Sequence, residues 1–132
     1  MWWAKYIGIP FVELGRTKKG ADCWGLLRLV YEEELGLVLP EFTAHAGNTD
    51  RAAIAAQSRE AYSYFTKVEE PQPFAAAVFI SAVTFAHVGI LVDRGKMLHT
   101  EKGKDACIEP WSPKAPLLKG FYVPNDRDIR QA

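Results

Sequence analysis

Hydrophobic positions change their rhythm along this chain. Early on they cluster at helical spacing; from Pro71 onward they fall into short runs separated by turn residues. Trp2 to Ile7 reads as a short aromatic helix, ended by Gly8 and Pro10. Residues 11–21, with Gly15, Gly20 and several polar side chains, read as a loop. Asp22 is a good helix N-cap, and an apolar run follows it. Leu26, Leu27, Leu29, Val30 and Tyr31 cover more than one face, so this helix is expected to start buried on several sides, with Glu32, Glu33 and Glu34 at the surface. Gly36 is a C-terminal stop and Pro40 opposes continuation. Glu41 to Thr49 reads as a connecting loop. Asp50 then caps an expected second helix, RAAIAAQSREAYSYF, ending near Phe65.

Pro71 and Pro73 break the chain, and the period shortens. Ala77–Ser81, His87–Asp93, Lys96–Thr100, Ala106–Glu109 and Gly120–Val123 read as strands, with Asp93-Arg94-Gly95 as a tight hairpin turn. Helices followed by a run of strands predict an α+β domain whose sheet of about five strands is mostly antiparallel. A single domain over residues 1–124 with a polar tail over 125–132 is the expected organisation.

Composition narrows the function classes. Sixteen acidic and sixteen basic residues balance. The basic residues are scattered, which argues against a nucleic-acid partner. No apolar run reaches the ~20 residues a membrane helix needs. The start, MWWAKYIGIP, lacks an apolar h-region and a small-residue cleavage site. The expectation is therefore no export signal. Two cysteines, Cys23 and Cys107, are expected to be free thiols.

The chemistry gathers around GADCWGL, residues 20–26. With Asp22 as N-cap, Cys23 falls in the first helical turn, where unpaired N–H groups and the macrodipole favour a thiolate and a developing oxyanion. Gly20 and Gly25 leave room for a substrate. A buried cysteine acting as a small hydrophobe fits the same stretch, and both readings stand at this point. A catalytic thiol needs a base. Of the three histidines, His45 lies in a loop, whereas His87 and His99 lie 12 positions apart across the Asp93-Arg94-Gly95 turn. A hairpin brings those two together, as a base and its orienting group require. Zinc on Cys23 and two histidines is the weaker reading, since no CxxC or HxxxH pair is present. Cys107 reads as packing. Trp2, Trp3, Trp24 and Trp111 fit either a ligand groove or ordinary packing.

Taken in order, IGIPF, GADCWGL, HVGIL and MLHT resemble the NlpC-type cell-wall cysteine peptidases over Ile7 to Thr100. Their pattern is a GTPY-like start, a DCSGL helix start, an HVGIY strand and a last His about a dozen residues on. DCWGLLRLVYEEELGLVLP is similar to the phage-tail branch, with Trp after the Cys and a Gly-x-x-Leu-Pro close. The resemblance implies a papain-like fold with N-terminal helices packed on the sheet. It also implies a Cys-His-His triad of Cys23 (nucleophile), His87 (base) and His99 (orienter). No cofactor is implied. Asp22, Trp24 and Phe11 are the positions it puts on the substrate side. The implied substrate is an amide bond in a peptidoglycan stem peptide, of the D-glutamate to diaminopimelate or lysine type, with phage-tail proteins as partners and, without an export signal, a location in a virion or in the cytoplasm until assembly or lysis. Two departures stand out. Phe11 replaces a frequent Tyr, and PQPFAAAVFI replaces a Pro-Gly-Asp turn. They keep open an alternative, a weakly active or inactive structural or binding module of a phage tail.

Overall fold

The structure, a computed structural model, describes residues 1–42, 59–80 and 86–125. Trp2–Tyr6 forms a 3-10 turn. Strands β1 (Arg16–Thr17) and β2 (Gly20–Ala21) make a small hairpin, where a plain loop was expected. Helix α1 spans Cys23–Val30 and continues through one π turn, Tyr31–Leu35, to Gly36 in the left-handed conformation (φ 69°), the conformation glycine adopts freely. Then come β3 (Phe65–Val68), β4 (Ala76–Ile80), β5 (Ala86–Leu91), β6 (Lys96–Glu101), β7 (Lys104–Pro110) and β8 (Leu118–Pro124). These six form one antiparallel sheet in the order β3-β8-β4-β5-β6-β7.

The α+β class and the mostly antiparallel sheet hold, with one strand more than expected. The extra strand is β3. Residues 59–63 are helical, but Phe65 opens a strand instead of closing a helix. It pairs with Pro124 at the end of β8. Phe65, Thr66 and Val68 suit a strand locally, and backbone pairing with β8 completes it. His45, the Asp50 cap and most of the second helix lie outside the described residues, as does the tail beyond Asn125. Asn125 itself is fastened, its N–H 2.8 Å from the Tyr64 carbonyl.

Alternation along the strands divides the apolar residues between two faces. Ala76, Val78, Val88, Ile90 and Leu98 face α1 and join Leu26, Leu27, Val30 and Tyr31 in one buried cluster. Ala77, Phe79, Leu91, Met97 and Phe121 form a second cluster on the opposite face. Among the described residues no helix is long and apolar enough to cross a membrane.

One ion pair fixes the start of α1. Arg16 Nη1 lies 2.7 Å from Asp22 Oδ1, and both side chains are buried, 7% and 6% exposed. Asp22 also accepts the Gly25 N–H at 2.8 Å and the Leu14 N–H at 3.0 Å. Leu14 needs this support, because its φ is 63° and a β-carbon disfavours that conformation. Arg16 donates further to the carbonyls of Glu41 and Phe42. Gly25 serves the same joint. A β-carbon there would sit 2.0 Å from the Gly15 carbonyl oxygen, so the glycine admits backbone where the sequence suggested room for substrate.

Replacing Asp22 by Ala removes the cap and leaves a buried guanidinium unpaired. The expected loss is about 3–5 kcal/mol, read as a lowered midpoint in urea unfolding. Asp22→Asn, which keeps acceptors for the two N–H groups, should lose less. A loss below about 1 kcal/mol for Asp22→Ala would contradict this account of the joint.

Candidate active site

Cys23 opens α1 directly after its cap and is only 4% exposed. The N–H groups of Val88 and Trp24 reach its sulfur. Val88 follows His87 in β5, so the thiol rests against the backbone next to the expected base. The sheet makes room for it there. β5 pairs with β6 through Ile90 with Leu98 and Leu91 with Met97, and the described pairing stops before His87 and His99. In that opened stretch the Val88 N–H meets sulfur.

The structure brings the two histidines together. His87 Nε2 lies 2.9 Å from His99 Nδ1, with the rings edge to face at 5.1 Å. The hairpin turn between their strands is tied by Asp93 Oδ1, which accepts the N–H groups of Gly95 and Lys96 at 2.8 Å each. His99 is fully buried. Its other nitrogen, Nε2, lies 2.6 Å from Glu109 Oε1. The same oxygen accepts from Lys104 Nζ at 2.8 Å. Lys104, Glu109, His99 and His87 therefore form a row that ends one residue before Val88.

Glu109 and Lys104 were not among the expected site residues. The signal for Glu109 was present in the register. The Lys102–Gly103 turn joins β6 to β7 and sets His99 opposite Cys107. Glu109, two residues on, shares that face. Cys107 was read as packing, but it is half-buried with Sγ 3.6 Å from Glu109 Oε1.

Electrostatics reverse one expectation. Burial pushes the Cys23 thiol up to about 12, aided by the nearby Asp22 carboxylate and opposed by the Val88 and Trp24 N–H groups. A helix N-terminus is worth about 0.3–1 kcal/mol, ~2 at best. A rise from the usual ~8.5 corresponds to several kcal/mol. Desolvation therefore outweighs the dipole. Burial also pushes His87 down to about 4, and the neighbouring His99 adds to that effect. The resting pair is a neutral thiol and a neutral imidazole.

The other named residues are placed as follows. Asp22 is committed to the joint described above. Trp24 donates its indole N–H to the Pro40 carbonyl at 2.8 Å and packs on Phe42, so GLVLP folds back beside the helix start. Phe11 bridges Ala21 in parallel, two residues before Cys23. IGIPF earns its place nearby: Gly8 and Ile9 pair with Ala106 in β7, while Pro10 accepts the Ala21 N–H. Phe74, in the stretch that departs from Pro-Gly-Asp, takes a left-handed φ of 68°. Its carbonyl accepts from Tyr31 Oη at 2.6 Å, and its ring stacks on Trp2. Trp111 donates to the Arg94 carbonyl and packs on Phe121. Two described groups bring possible metal ligands within 4.8 Å, namely His87 with His99 and Glu101, and His99 with Cys107 and Glu109. Cys23 belongs to neither. In the second, the oxygen of Glu109 already holds the Lys104 ammonium.

A buried neutral thiol should react slowly. In a Cys107→Ala background, Cys23 alkylation by iodoacetamide is expected to stay slow through neutral pH and to rise only above the ordinary thiol range of about 8.5. The same raised value links to stability. Cys23 contributes stability that is present below about 8.5 and is lost as pH climbs toward 12. A thiolate that persists to about pH 5 and vanishes in His87→Ala would contradict the neutral pair.

Comparison with known proteins places this geometry. A family model described as the NlpC/P60 family matches residues 8–116. The crystal structure of the NlpC/p60 domain of the peptidoglycan hydrolase SagA is similar at TM-score 0.65 and 23% identity, covering 94% of this chain and 93% of that one. A lipoprotein-like NLP/P60 family protein from Staphylococcus aureus subsp. aureus Mu50 is similar at TM-score 0.68 and 23% identity, over 92% of this chain but 38% of that longer one. At that identity the two structures speak to the fold. No curated protein matches. The family match spans most of the chain, from the IGIPF segment through both histidines, and the chain belongs to the NlpC/P60 family.

Proposed function

We propose that this chain is a thiol hydrolase that cuts amide bonds in peptidoglycan stem peptides, with Cys23 as nucleophile, His87 as general base and His99 as the group that orients it. One observation carries the reading. A cysteine at a capped helix start touches the backbone beside His87, and His87 is in direct contact with His99 at 2.9 Å. Family membership and the solved peptidoglycan hydrolase of the same fold support the substrate class.

The chemistry follows from the neutral pair. The thiol proton passes to His87 as sulfur attacks the amide carbon, so no free thiolate has to exist beforehand. The oxyanion that forms lies near the N-terminus of α1, where the helix dipole favours negative charge. His87, now protonated, gives its proton to the departing amine. Water then releases the acyl group from sulfur with His87 again as base. His99 keeps the His87 ring in place throughout.

The bond class proposed is D-glutamate to diaminopimelate or lysine. The resemblance of DCWGLLRLVYEEELGLVLP to the phage-tail branch supports delivery by a tail particle, with tail proteins as partners. A second reading, a tail module that keeps the fold without turnover, draws on the 4% exposure of Cys23 and on Phe11.

Purified muropeptides separate the two. The wild-type chain is expected to cleave a stem-peptide amide, with the products identified by mass. Cys23→Ala and His87→Ala should each lower the rate by ~10³-fold or more. An inert wild-type chain, or cleavage that survives Cys23→Ala, would overturn the hydrolase reading and favour the module.

A further inference from the structure

The row behind the histidines constrains where protons can sit. An ionised carboxylate only accepts hydrogen bonds. Lys104 and His99 hold Glu109 ionised well below the usual carboxylate range, down to about 2. His99 Nε2, 2.6 Å from Glu109 Oε1, must therefore carry a proton. With that one N–H on the ring, His99 Nδ1 is bare and can only accept. Its neighbour at 2.9 Å, His87 Nε2, must then be the donor. That leaves Nδ1 of His87 as the bare nitrogen, the form a base needs.

The reverse arrangement fails at the same step. If His99 carried its proton on Nδ1, His87 Nε2 would have to accept. The His87 proton would then sit on Nδ1, and the ring would have no lone pair for the thiol. Nothing in the two histidines alone chooses between these arrangements. Glu109 is the element that does.

We propose that Glu109, steadied by Lys104, is a positioning residue that acts through His99 to select the Nδ1-bare tautomer of His87. This deepens the proposed function and rests on His87 being the base there. Glu109 touches His99, Lys104 and Cys107, so its action is indirect. The competing account is an ordinary surface ion pair. Glu109 and Lys104 are 40% and 41% exposed, and a pair that exposed contributes little stability. The two accounts therefore part on tautomer and rate. Other charges facing His87 are Glu101 from β6, Lys114 from the Ser112–Leu117 turn and Lys104 from β7. None of these prescribes which ring nitrogen is bare.

The test uses the full chain labelled with ¹⁵N-histidine at pH 7.5. Long-range ¹H–¹⁵N spectra are expected to show His87 and His99 both protonated on Nε2. In Glu109→Ala the two rings should shift toward mixed tautomers. On muropeptides, kcat should fall on the order of 10-fold or more, part of the ~10²–10⁴ that a positioned base supplies, with KM little changed. Glu109→Gln should restore most of both signals, because both hydrogen bonds end on one oxygen that an amide can supply. A wild-type His87 protonated on Nδ1 would overturn the inference, as would unchanged tautomers in Glu109→Ala. The spectra need no turnover. An inactive wild type with the expected tautomers would sink the hydrolase reading while the tautomer assignment stood.

Discussion

The buried pair of Asp22 and Arg16 is the joint on which the site hangs. An ion pair removed from water repays its desolvation only when its remaining hydrogen bonds are satisfied. Here they are spent on chain placement. Asp22 caps the helix that presents Cys23 and holds Leu14 in a left-handed turn. Arg16 ties down the carbonyls of Glu41 and Phe42, the latter at φ 49°. Strained backbone persists where its surroundings over-determine it. The acidic residue before the cysteine thus has a structural task beside any contact with substrate.

A second constraint comes from the sheet. Pairing of β5 with β6 stops short of His87 and His99, and the start of α1 approaches the Val88 N–H there. Cys23 belongs to the cluster on the helix face, while the histidines project from the other side of their strands. At this opening the thiol touches β5 through the Val88 N–H, one residue beyond His87. The arrangement leaves the Cys23 thiol dry. Desolvation keeps the thiol and the His87 imidazole neutral at rest, and in the proposed mechanism proton transfer falls to the moment of attack.

Much of this was legible in the sequence. Asp22 followed by an apolar run marked the helix start, and Asp93-Arg94-Gly95 marked the hairpin that joins the histidines. Both are local signals with a short physical reach. What was missed depends on partners far along the chain. Two-residue strands such as Arg16–Thr17 show no period. β3 owes its form to β8, more than fifty residues on. Glu109 looked unremarkable in CIEP until the β6–β7 register set it diagonal to His99. The thiol's ionisation followed the same rule. A cap and a dipole can be read locally, whereas burial is a property of the whole fold and here is the larger effect.

The central claim is that Cys23 attacks a carbonyl with help from His87. It is tested most directly by intact-mass spectrometry of the chain after exposure to a stem-peptide analogue bearing a chloromethyl ketone at the D-glutamyl carbonyl. The account expects one adduct per chain on buried Cys23, in preference to the more exposed Cys107, forming far more slowly in His87→Ala. Labelling confined to Cys107, or Cys23 labelling at the same rate without His87, would contradict it.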